Sequence, residues 1–216
     1  MDITLSGSNG RIQASYYKSA NPKAPIAVIF HDLPKNGGHM NEKVNYTLFY
    51  AFLQMGFSVI RFNFRGCGNT VGIFEGGESE LIDAATVVDW IQEQNEDASS
   101  FWLAGVGFGA WVSMQLLMRR MEVTNYIAVS PQPKGYDFTF FSPAPCDGAI
   151  IGAQNDSIIL EDSLKSLANS INKQHFGQIK YISVPQAPHN YEGKLKELFS
   201  TLISYIEKNL NIPKVE

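Results

Sequence analysis

Apolar residues recur along this chain in two patterns, short unbroken runs and runs spaced three or four apart, and the two patterns alternate. Pro25 to Phe30 carries Ile26-Ala27-Val28-Ile29-Phe30 without a polar interruption, as a strand buried on both faces of a parallel sheet requires. Phe57 to Phe64, Phe101 to Val106, Asn125 to Ser130, Gly148 to Ala153 and Gln178 to Val184 read as further strands. Between them, Val44, Leu48, Phe52 and Met55 predict a helix that begins near Asn41 and stops at Gly56. Leu81, Ala84, Ala85, Val88 and Ile91 predict a second over Glu80 to Gln94. Ala110 to Met121 is apolar on all sides, as a helix held inside a core is, and Arg119 and Arg120 are expected at the negative end of its dipole. Glu161 to Gln174 and Glu192 to Leu210 are amphipathic, and Ile3 to Ser6 and Arg11 to Tyr17 flank a turn at Gly7-Ser8-Asn9-Gly10, predicting a hairpin at a sheet edge. Alternating strands and helices predict an α/β fold, a mostly parallel doubly wound sheet with helices on both faces and right-handed crossovers.

Within that pattern, Phe101 to Ala110 runs from a strand through Gly105-Val106-Gly107-Phe108-Gly109 into a helix. A strand, a sharp turn of small residues and a helix form the nucleophile elbow of α/β-hydrolases, whose pattern is G-x-S-x-G. The outer glycines match, and Gly107 stands where the serine belongs. Glycine meets the strained backbone demand of that position but brings no hydroxyl.

A chain of 216 residues suits one domain, residues 1–216, with a sizeable core. Its 44% hydrophobic and 18% charged content excludes a disordered or fibrous class. A net charge of -4 offers no basic footprint, so neither nucleic acid nor membrane is expected as a partner. No signal peptide or membrane-length apolar run is visible, and the two cysteines, Cys67 and Cys146, fit a reduced, cytoplasmic protein. Their spacing matches neither a redox motif nor a metal site, so no metal and no cofactor are expected. Cys67 lies in a glycine-rich loop that faces the expected site, which leaves open a reactive thiol beside an inert small residue.

Sites in such sheets lie at the carboxyl ends of the strands. Gly107, Asp156 and His189 all fall there, in the order nucleophile, acid, histidine. His189 sits in Pro188-His189-Asn190 before the last helix, and Asp156 in Gln154-Asn155-Asp156-Ser157 can accept its other ring N–H. Phe108 is the expected first oxyanion donor. Leu33 is the expected second, because Pro34 has no N–H, with Asp32 the alternative. An aspartate at that place opposes the negative charge that acyl chemistry develops. His31 and His39 read as structural or exposed. The segment Pro131 to Asp147 is too short for a helical lid, so the site is expected to open to solvent.

Nearly the whole chain resembles a group of small, lidless bacterial α/β-hydrolases. The resemblance is carried by Gly37-Gly38-His39-Met40-Asn41, Arg61-Phe62-Asn63-Phe64-Arg65-Gly66, the loop Gly72 to Glu80, and Pro131-Gln132-Pro133 with Tyr136-Asp137-Phe138. It implies an α/β-hydrolase fold without a lid, esterase-like descent and a small acyl or ester ligand. It also implies a site at Gly107, Asp156 and His189, where the family has its elbow serine, its G-D-A-D-like aspartate and its final histidine. Where the family has H-P-H-P after the third strand, this chain has His31-Asp32-Leu33-Pro34. The chain therefore departs from the pattern at two places, both in the expected site.

Three functional outcomes follow. Serine catalysis is lost and the protein acts by binding a ligand; or His189, oriented by Asp156, activates water for hydrolysis of small esters or thioesters. A third comes from Gly105-x-Gly107-x-x-Ala110, which also satisfies a dinucleotide fingerprint. The strand that follows it ends in Ser130-Pro131, where that fingerprint calls for an acidic residue.

Overall fold

In the computed structural model, which describes residues 1–173 and 177–210, one eight-stranded sheet forms the centre. The strands are β1 (Asp2–Gly7), β2 (Gly10–Tyr17), β3 (Ile26–Phe30), β4 (Ser58–Phe62), β5 (Phe101–Val106), β6 (Asn125–Val129), β7 (Asp147–Ala153) and β8 (Ile179–Val184). Their order in space is β1-β2-β4-β3-β5-β6-β7-β8. The β1-β2 hairpin adds antiparallel to β4 at one edge, and every pairing from β4 to β8 is parallel.

Among the described residues, five α-helices cover the faces: α1 (Lys43–Gln54), α2 (Glu78–Glu93), α3 (Phe108–Leu117), α4 (Glu161–Ile171) and α5 (Leu195–Asn209). The pleat sorts residues between two cores. In β3, Ala27 and Ile29 face α1 and α5, packing with Leu48, Phe52, Leu198 and Leu202. Ile26, Val28 and Phe30 face the other way, into the core that holds residues of α2, α3 and α4. Burial on both sides is why these strands read as unbroken apolar runs. No helical lid interrupts the connection from β6 to β7, whose regular structure is a single 3-10 turn, Thr139–Phe141.

Several element ends differ from the expected ones, each for a local reason. β4 stops at Phe62 because the backbone leaves the ladder after Asn63, whose N–H makes a last bond to the Gln13 carbonyl of β2: Phe64 N–H donates instead to His31 Nε2 at 3.0 Å, and Asn63 Oδ1 accepts from Met40 N–H at 2.8 Å. α1 starts at Lys43 because Glu42 caps it, accepting from Val44 and Asn45 N–H. α2 starts at Glu78, with the buried Glu80 carboxylate reaching back to the N–H groups of Gly77 and Glu75. α3 ends at Leu117, short of Arg119 and Arg120, so neither arginine sits in its last turn. Arg120 instead pairs with Asp89 of α2 at 2.6 Å. α5 begins at Leu195 and not at Glu192, because Tyr191 and Gly193 hold positive φ angles of 55° and 70° that no helix contains. Gln174, the expected end of α4, lies outside the described residues.

Candidate active site

The register of the parallel strands sets β3, β5 and β6 level, with Phe30 beside Gly105 and Gly105 beside Ala128. The loops after these strands and after β7 and β8 therefore meet at one end of the sheet. There a cleft of about 420 Å³ is lined by Asp32, Gly107, His189, Ser130, Gln132 and Tyr191, among others. Asp156 stands behind His189, buried.

Gly107 joins β5 to α3 with φ 52° and ψ -111°, a strained turn conformation that L side chains adopt only at a cost. Gly105 and Gly109 let strand and helix touch: a Cβ on Gly105 would overlap the Gly109 backbone. The expected elbow is thus formed in its backbone. At its tip, a Cβ on Gly107 would collide with the carboxylate of Asp32. Asp32 Oδ1 accepts the Phe108 N–H at 2.8 Å. The Leu33 N–H lies near enough to favour the charged form as well. The first backbone donor expected to receive an oxyanion is therefore directed at a carboxylate of the chain itself.

Burial raises the Asp32 pKa above the ordinary carboxylate value, opposed by the N–H groups of Phe108 and Leu33 and by the positive fields of His189 and Lys35. The loop that carries Asp32 is held from behind. His31 is fully buried and its Nε2 accepts the Phe64 N–H, which fixes the tautomer: Nδ1–H donates to the Asp32 carbonyl at 2.5 Å. Burial lowers the His31 pKa to about 4, so the ring is neutral and structural. The 3-10 turn Pro34–Asn36 closes the loop, with Gly38 N–H donating to the Leu33 carbonyl.

Across the cleft, His189 Nδ1 lies 2.8 Å from Asp156 Oδ2. Asp156 Oδ1 accepts from Ile158 and Ile159 N–H, each at 2.8 Å. Burial works to raise the Asp156 pKa, yet the bonds from His189, Ile159 and Ile158 outweigh it and hold the carboxyl below its usual range. The hydrogen bond to Asp156 raises the His189 pKa above its ordinary value, burial works against it, and Asp32 adds to the rise. With Nδ1 held by Asp156, the other ring nitrogen, Nε2, is left for the cleft.

The structure brings Gly107, Phe108, Leu33, Asp156 and His189 to one site. What the sequence reading did not reach is that the Asp32 side chain accepts the Phe108 N–H; Asp32 was kept there only as the alternative second backbone donor. The signal was present in its own two departures from the family pattern, which prove to touch. Tyr191 was also missed; its hydroxyl sits 2.9 Å from Ser130 Oγ, and both residues hold positive φ at the cleft floor. Cys67 is a half-buried thiol that donates to the Gly38 carbonyl at 3.5 Å, and burial pushes its pKa up, the reverse of an activated thiolate.

Arg61 to Gly66, the stretch that carried much of the resemblance, serves as scaffold. Arg61 donates to the Met40 carbonyl at 3.1 Å and lies over the ring of Phe49. Arg65 forms a two-bond buried ion pair with Asp83 of α2, both bonds 2.8 Å. Among the described residues, no cluster of His, Cys, Asp or Glu suits a metal ion and no helix is long and apolar enough to cross a membrane.

Comparison with known proteins agrees with this architecture. The family model described as X-Pro dipeptidyl-peptidase (S15 family) matches residues 9–166. An uncharacterized protein of Rickettsia prowazekii (strain Madrid E) is 38% identical over 208 residues, covering 94% of this chain and 87% of the relative. A protein of unknown function from Agrobacterium tumefaciens, described as a candidate α/β hydrolase, superposes with TM-score 0.94 at 40% identity, over 98% of this chain and 97% of its own. An α/β serine hydrolase without a lid from Xanthomonas campestris gives TM-score 0.86 at 25% identity, over 98% and 95%.

Proposed function

The chain belongs to the X-Pro dipeptidyl-peptidase (S15) family of α/β hydrolases and to its small lidless members, and from that premise we propose that it is a hydrolase without serine acyl transfer. Its chemistry runs instead on water activated by His189, with Asp156 holding the ring.

The observation that carries this reading is the bond from Phe108 N–H to Asp32 Oδ1. In acyl transfer that N–H must be free to receive the oxyanion, and one such donor is worth on the order of 10²–10³ in rate. Here an oxyanion would have to displace a carboxylate or lie against it. Two like charges about 4 Å apart repel by roughly 4 kcal/mol near a protein surface. The missing hydroxyl of Gly107 compounds the loss, since removing a triad nucleophile costs on the order of a millionfold.

The base pair across the cleft remains intact, and general-base catalysis supplies roughly 10²–10⁴. Asp32 and Glu42 line the cleft, which disfavours anions, so the ligand we propose is small and uncharged. The test is treatment of the full chain with a fluorophosphonate probe beside turnover of short-chain p-nitrophenyl esters. The expected result is no covalent labelling, and any ester turnover weak and lost in His189→Ala. Stoichiometric labelling, or ester turnover that survives His189→Ala, overturns the reading.

A further inference from the structure

We infer that Asp32 is itself a nucleophile, and that the cleft hydrolyses small neutral molecules bearing a leaving group on a saturated carbon, alkyl halides being the simplest. This rests on the reading that His189 activates water.

Three observations on Asp32 converge. Its carboxylate fills the volume into which a side chain at Gly107 would project, so it stands where the fold presents a nucleophile. Its two oxygens are unequal: Oδ1 is held by Phe108 N–H, whereas Oδ2 accepts no hydrogen bond from the described residues. The carboxylate and His189 line the same cleft, close enough for the charge of each to shift the titration of the other. Carboxylates serve as covalent nucleophiles where a neighbouring base can then hydrolyse the ester they form.

The donors select the substrate. Attack of Oδ2 on a carbonyl carbon would create an oxyanion without the elbow donor, because Phe108 N–H is engaged with Oδ1. Attack on a saturated carbon creates none. An Oδ2 lone pair forms the new C–O bond, the bond to the leaving group breaks, and that group departs as an anion with the electron pair. Asn36, Gln132 and Asn190 line the cleft and carry amide N–H groups suited to receive it. The product is an alkyl ester of Asp32 whose carbonyl oxygen, Oδ1, already accepts the Phe108 N–H.

Water then attacks Cγ of Asp32 while His189 Nε2 takes its proton. The negative charge develops on Oδ1, which the Phe108 N–H already faces. Collapse restores the Cγ–Oδ1 double bond and breaks the bond from Cγ to Oδ2. The alcohol leaves with Oδ2 and takes the proton from His189. Asp32 returns as a carboxylate that has gained one oxygen from water and released one proton. The sum is alkyl halide plus water giving alcohol, halide and a proton, with no oxidant or reductant.

The experiment uses the full chain and 1-bromobutane, following bromide release, intact mass and the fate of oxygen-18 water with enzyme in excess. In the first turnover, heavy oxygen is expected in Asp32 and not in the butanol. His189→Gln is expected to accumulate one butyl group on the peptide that contains Asp32. Asp32→Asn should lower bromide release on the order of a hundredfold or more while its thermal midpoint stays within a few degrees. Heavy oxygen in the first-turnover butanol means direct water attack: it overturns the role of Asp32 and leaves His189 as the base. A butyl adduct that persists in Asp32→Asn, or no bromide release above the uncatalysed rate, also overturns the inference. Labelling by the fluorophosphonate probe strikes the underlying reading instead, so the two failures are distinguishable.

Discussion

The carboxylate of Asp32 and the bare Cα of Gly107 fit each other: one occupies the space that a side chain on the other would need. The two positions lie on different loops, after β3 and after β5, and neither departure from the family pattern is neutral alone. A serine at 107 would meet a carboxylate. With the ring of a proline at 32, as the family pattern has it, nothing on this loop would offer Phe108 N–H a carboxylate.

Restoring the serine alone is therefore expected to fail. Gly107→Ser places a Cβ against the Asp32 carboxylate and a side chain at φ 52°, costing about 1–3 kcal/mol as strained positions do. Its thermal midpoint should fall, and p-nitrophenyl ester turnover should stay at background. Gly107→Ser with Asp32→Ala clears the space and frees Phe108 N–H; this double variant should gain esterase activity and fluorophosphonate labelling. Activity in the single variant equal to that in the double would refute the steric argument.

Asp32 also faces the N-terminus of α3. Its charge lies at the positive end of the helix dipole and its oxygen satisfies a first-turn N–H. Asp32→Ala should cost about 1–2 kcal/mol in urea unfolding, and Asp32→Asn, which keeps the acceptor, distinctly less. Equal losses in the two would show that the acceptor contributes nothing.

The buried His31 and the half-buried His189 pull stability in opposite directions with pH. His31 has a folded pKa of about 4 against 6.5, so the fold prefers the neutral ring. Its contribution is complete above pH 6.5 and is lost as pH falls from 6.5 towards 4. At 1.36 kcal/mol per pKa unit the loss reaches roughly 3 kcal/mol. His189 has a raised pKa, so its contribution is complete below 6.5 and fades as pH rises through its folded value. Urea midpoints between pH 7 and 4.5, together with an NMR titration of both rings, check this. A His31 ring that titrates near 6.5 would contradict the assigned tautomer and burial.

Arg65 and Asp83 are each almost wholly buried and joined by two bonds of 2.8 Å. Removing one partner strands the other charge, so Asp83→Ala should cost about 3–5 kcal/mol, whereas replacing both by apolar residues of similar volume should cost far less. A double-mutant cycle measures the difference. Additive losses would mean that the pair is not coupled.

The fold was legible because its determinants are local. Unbroken runs such as Ile26 to Phe30 and spaced runs such as Leu81 to Ile91 report burial on two faces or one, and that report needs no knowledge of neighbours. Element ends were less legible, since their causes lie elsewhere: β4 ends just before Phe64 meets His31, and Arg120, beyond the end of α3, pairs with Asp89 of another helix. The elbow, Asp156 and His189 were readable from chain order and loop position. Their meeting depends on the parallel pairing of β5 through β8, which no single segment encodes.

The sequence by itself determined the class of fold, the absence of a serine at the elbow and the presence of an aspartate in the loop after β3. Those are facts of composition and spacing along one chain. Only the tertiary structure decided that the second fact answers the first. Asp32 and Gly107 are brought together by parallel pairing of β3 with β5, and a hydrogen bond 76 residues apart in sequence exists solely because the sheet closes that distance.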